Sequence, residues 1–134
     1  MTIQFYSGSA GTYHEAVSSW VEDHDTIVTD IPPTDLFGLI VGVALFGAGT
    51  VTSVVDDPAG NVPPVDLSLL RADTNGSYRS EIWFLSTHLS GSHEITITLS
   101  MTLSIAVCAL SYYQCGGIGA REAQQEWVIL PLIL

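Results

Sequence analysis

Residues 93–104, "HEITITLSMTLS", alternate without a break: His93, Ile95, Ile97, Leu99, Met101 and Leu103 fall on one side, with Glu94, Thr96, Thr98, Ser100, Thr102 and Ser104 on the other. Period two with β-branched residues marks a strand with one face on a core and one toward solvent. A helix would scatter both sets around its circumference, so the stretch commits this part of the chain to a sheet. The reading puts the whole apolar row, Met101 included, in the core and the Thr row on a face that is exposed or lies at a subunit contact.

The flanking segments read the same way. "DLFGLIVGVALFG" (35–47) is apolar on both faces, and Gly38 and Gly42 weaken a helix, so it predicts a central strand covered on both sides. "TVTSVVDD" reads as a strand stopped by the turn "DDPAGN", and "VDLSLLRAD" (65–73) as the next, paired through Asn75-Gly76 with "YRSEIWFLSTHL". "SGS" at 90–92 turns into the alternating strand, which "SIAVCALSYY" continues. "TIQFYS" and "EAVSSWVED" are strand candidates near the start, and "EWVILPLIL" closes the chain. The one helical candidate, "GAREAQQEW" (119–127), is too short to change the class. Eight or nine antiparallel strands in 134 residues predict one all-β domain, a jelly-roll-like β-sandwich. Within it residues 1–35 are acidic strands and loops, 36–117 the core, and 118–134 a C-terminal interface segment.

Charge excludes one class of partner. Three cations, Arg71, Arg79 and Arg121, stand against 14 acids, for a formal net charge of -11, so the chain lacks the basic face that nucleic acid requires. Glu15, Glu22, Asp23, Asp25, Asp30 and Asp35 fall in the first 35 residues with no cation among them. Acid excess without lysine fits either a GC-rich genome or a halophilic protein whose carboxylates keep its surface hydrated. No apolar run reaches the length of a membrane span, and the start lacks the pattern of a signal peptide, so the chain reads as soluble and unexported. Cys108 and Cys115, on one extended strand, would face opposite ways about 20 Å apart, so two free thiols are expected.

The succession "LIVGVAL", "VTSVVDDPAGN", "RSEIWFLSTHLSGSHEITITLS" and "AVCALSYY" resembles an all-β domain that recurs in structural proteins of phage and archaeal virus particles and in microbial surface proteins. The resemblance spans about residues 36–117 and rests on the order and spacing of the stretches. It implies a virion surface, fibre or adhesive module rather than an enzyme.

Candidate chemistry is sparse. Asp56, Asp57, Asn61 and Asp66 around the acidic turn offer oxygen ligands suited to Ca2+ or another hard cation, without the spacing of a calcium loop; a solvated turn is the alternative. In "EDHD" (22–25), His24 lies between carboxylates that should raise its pKa, and a charged surface loop is the expected setting. His88 and His93 flank the 90–92 turn and are expected as exposed neighbours across a hairpin tip. Serines and histidines are plentiful, but no nucleophile elbow is formed and no catalytic residue is assigned. Trp20, Trp83 and Trp127 could form a sugar-stacking platform, although Trp83 in "EIWFL" reads as core. "WVILPLIL", with Trp127, Val128, Ile129, Leu130, Leu132, Ile133 and Leu134, shows no polar alternation and so must be covered on both faces, either inside the sandwich or by a neighbouring subunit.

The expectation is therefore a non-enzymatic virion structural protein without a cofactor. It would be a homo-oligomeric capsid decoration, turret or fibre component of a tailed virus, with a haloarchaeal host fitting the acidity. Its partners would be itself and other virion proteins such as the major capsid protein, and it would assemble in the host cytoplasm. The alternative is a carbohydrate-binding or adhesin module.

Overall fold

The computed structural model describes residues 4–8, 11–26, 36–58, 62–89 and 91–113. They form eight strands: β1 (Gln4–Gly8), β2 (Thr12–Thr26), β3 (Leu36–Phe46), β4 (Val51–Pro58), β5 (Val65–Asp66), β6 (Ser68–Asn75), β7 (Tyr78–Leu89) and β8 (Gly91–Tyr113). Every pairing among the described strands is antiparallel, as expected for the all-β class. No helix occurs among the described residues, and so none long and apolar enough to cross a membrane. The helical candidate at 119–127, Cys115 and the closing segment lie outside the described residues.

The alternating stretch is the first half of β8, the longest strand. Along one edge β8 carries β2 and then β1. Along the other it pairs with β4 over residues 93–99 and with β3 over residues 104–113. The sheet thus runs β5-β4-β8-β3-β7-β6, and because β5 and β6 are separated only by Leu67, its two ends come back together. The result is a sandwich curled nearly into a barrel. Its first wall is β2, the start of β8, β4 and β5, and its second is the end of β8, β3, β7 and β6.

The apolar row of β8 faces the interior along nearly its full length: Ile95, Ile97, Leu99, Leu103, Ile105, Val107 and Ala109 are all buried. Met101 is the exception, 51% exposed, because β8 passes there from pairing with β4 to pairing with β3. The β3–β4 connection crosses that corner so closely that a Cβ on Gly49 would lie 2.3 Å from Leu103 Cδ2 and 2.8 Å from Met101 Cγ, which only glycine avoids. β3 is central as expected, with Leu39, Val41, Val43 and Leu45 in the core and Ile40, Gly42 and Ala44 half-buried on the outer face. The Asn75-Gly76 signal marks a real hairpin, in which Asn75 pairs with Tyr78.

Trp83 packs in the core, and its indole N–H donates to the buried carboxylate of Glu81 at 3.0 Å. Glu81 also accepts from Arg79 Nε at 2.8 Å and from the Val51 backbone N–H at 3.1 Å. Its charge is thereby paired and hydrogen-bonded, the condition on which a carboxylate can sit in a core.

Candidate metal centre

At one end of the sandwich the interior changes from aliphatic to polar. On β4, Val54 and Asp56 face inward while Val55 and Asp57 face out, as strand alternation dictates. His93 heads the inward row of β8, His24 lies opposite it on β2, and His88 comes from the end of β7 in the other wall. Asp56, His88 and His93 are 1%, 0% and 3% exposed. His88 Nδ1 donates to Asp56 Oδ2 and His93 Nδ1 to Asp56 Oδ1, each at 2.7 Å, so one carboxylate orients both imidazoles. The two rings stand 4.2 Å apart, and one donor atom from each of the three residues lies within 4.8 Å of the others. His93 Nε2 is buried with no hydrogen-bond partner.

Burial pushes the Asp56 carboxyl up, but the hydrogen bonds from His88 and His93 more than offset it and hold the pKa at about 2. His24 moves the opposite way from the expectation for a histidine among carboxylates. Burial, and then the neighbouring His88 and His93, lower it to about 4, against weaker upward effects of Asp56 and Asp25. The correction follows from where "EDHD" lies. It is part of β2, not a loop, so Glu22 and His24 face the interior while Asp23 and Asp25 face solvent. His24 Nε2 shares a short hydrogen bond with Ser111 Oγ, and its ring lies 5.7 Å from that of His88.

His88 and His93 are indeed neighbours, but not at an exposed tip. β7 and β8 do not pair with each other. The turn carries the chain from one wall to the other, with Gly91 at φ 122°, and both side chains swing into the space between the walls. The sequence signal was available in part: His93 falls in the same alternating row as Ile95 and Ile97.

Of the oxygen set expected around the acidic turn, the three described members do not share a face. Asp56 faces in, Asp57 and Asp66 face out, and Asn61 lies outside the described residues. Asp57 joins a different group. Directly across β2, β8 and β4, Asp23 opposes Glu94 and Glu94 opposes Asp57 on the outer face, three like charges in a row. With Asp25 they line a pocket of about 350 Å3 whose wall includes His93. Trp127 and residues 128–134, expected at an interface, lie outside the described residues. Trp20 stacks on His14 with ring centroids 3.5 Å apart and donates to Glu22, so with Trp83 in the core these two indoles do not form a shared sugar platform. Cys108 is a free, half-buried thiol. No protein family, curated protein or solved structure gives a significant match to this chain.

Proposed function

We propose that the chain is a non-enzymatic structural protein, a sandwich subunit that associates with copies of itself on the surface of a larger particle, as a capsid decoration, turret or fibre component does in a virion. The observation that carries this reading is an exposed aromatic row. Tyr13 on β2, Phe46 at the end of β3 and Tyr78 at the start of β7 are all exposed and contact edge to face, with centroids 5.7 and 5.8 Å apart. Exposed aromatic clusters of this kind are typical anchors of protein interfaces.

A second copy is the occupant that fits. The row lies at the opposite end of β2 from Asp23 and Asp25, so two subunits meeting through it would hold their acidic ends apart, which a chain of net charge -11 requires. A sugar ligand fits less well. Adjacent rings are inclined at 65° and 84°, so they present no common flat face to a run of pyranoses. The interior offers little for catalysis, since Ser111 is fully buried and its partner His24, with a pKa of about 4, is a weak base at neutral pH.

Sedimentation equilibrium of the full chain tests the proposal. Self-association at micromolar concentration is expected, with a shift to monomer in the triple variant Tyr13→Ser, Phe46→Ser, Tyr78→Ser. A chain that stays monomeric throughout, or a folded triple variant that associates as strongly as the parent, would refute it.

A further inference from the structure

We propose that Asp56, His88 and His93 bind one divalent transition-metal ion of the zinc class. Two imidazoles and one carboxylate are a nitrogen-rich donor set, suited to Zn2+ or Co2+ and unsuited to Ca2+ or Mg2+, which take oxygen. The three residues come from β4, β7 and β8, so the set spans both walls of the sandwich. Each donor position is fixed by a strand rather than by a loop.

In the ion-free arrangement two N–H···O bonds hold the donors together, each with a proton where a ligand bond would run. An ion entering between them replaces those two protons, and each neutral imidazole keeps its proton by carrying it on Nε2 instead. For His93 this exchange breaks nothing elsewhere, because its Nε2 has no hydrogen-bond partner to lose. A buried nitrogen left unpaired is costly in a purely structural network. In a metal site it leaves the ring free to change tautomer. Asp56 supplies the carboxylate of the set, with one oxygen turned to each imidazole.

On the outer face of the same strands Asp23, Glu94 and Asp57 stand directly opposite one another, in a pocket that His93 borders. Like charges in register destabilise a sheet, and their summed field raises the concentration of cations at this end of the sandwich. The bound ion would clasp the two walls at the polar end and add its binding free energy to folding.

The test uses the full chain, stripped with a chelator and dialysed. Isothermal titration with ZnCl2 should give one ion per chain and CoCl2 should give visible absorption bands, whereas CaCl2 should neither bind at this site nor raise the melting temperature. His93→Phe should abolish stoichiometric binding. The quadruple variant Asp23→Asn, Asp25→Asn, Asp57→Asn, Glu94→Gln should keep the one-to-one stoichiometry and bind more slowly. Should His93→Phe fail to fold, the 113Cd resonance of the parent chain decides, since nitrogen ligation is expected and a shift typical of all-oxygen ligation overturns the proposal. Absence of Zn2+ binding to the parent also overturns it, as does binding that survives in His93→Phe but disappears in the quadruple variant.

Discussion

Ile97 and Met101 belong to the same alternating row of β8, yet truncating them should have very different consequences. Ile97 is fully buried between its cross-strand partners Trp20 and Val54. Ile97→Ala removes three carbons, about 2.4 kcal/mol at ~0.8 kcal/mol for each. The cavity they leave cannot collapse between two paired strands, which puts the total at about 3–5 kcal/mol. Met101 is half exposed at the corner, so Met101→Ala forfeits at most about half of a similar transfer term and leaves no closed void, a cost of about 1 kcal/mol. For a domain with a total stability of roughly 5–15 kcal/mol the first is severe and the second minor. Equilibrium urea unfolding followed by far-ultraviolet circular dichroism reads the difference. With a slope of about 2 kcal/mol per molar, the Ile97→Ala midpoint should fall by roughly 1.5–2.5 M and that of Met101→Ala by about 0.5 M. Equal shifts would mean that the row enters the core unbroken and that β8 does not turn a corner at residue 101, which would refute the reasoning about how the two walls are joined.

Three further outcomes are expected. Glu81→Ala strands three donors, from Val51, Arg79 and Trp83, and should cost about 3–5 kcal/mol in the same urea assay; a cost below about 1 kcal/mol would show that those bonds are not maintained in solution. Gly49→Ala drives a Cβ against Leu103 and Met101 and should lower stability by about 1–3 kcal/mol, whereas an unchanged melting temperature would mean that the corner is looser than described. In chelator-treated protein, stability should be fully present above pH 6.5 and decline as the pH falls toward 4, because the unfolded chain protonates His24 at its ordinary value while the folded chain resists to about 4. The full shift is equivalent to about 3 kcal/mol, or about 2 kcal/mol after screening, and a second loss follows between about 3.8 and 2 as Asp56 titrates. His24→Leu should flatten the first window and leave the second, and an unaltered first window in that variant would assign it to other groups.

The sequence by itself determined the class of fold and most of its strands. Alternation in 93–104, the doubly apolar stretch 35–47 and the Asn75-Gly76 turn are local patterns, and a sheet uses them as they stand, because side-chain direction along a strand depends only on parity. Parity also carried the correct inward direction of Ile95, Ile97, Leu99 and Leu103. It could not show that Met101, in the same row, sits where β8 changes partners, since a corner is made by the strands on either side of it. The polar centre was less legible still. Asp56, His88 and His93 lie on three different strands, two of them in opposite walls, and only the closure of the sheet brings an aspartate and two histidines within reach of one another. The same closure reversed the reading of His24: its carboxylate neighbours in sequence point away on the outer face, while burial and two histidines distant in sequence set its pKa. Local pattern decides which way a side chain points, whereas desolvation and pair interactions depend on distances that exist only after the walls have packed.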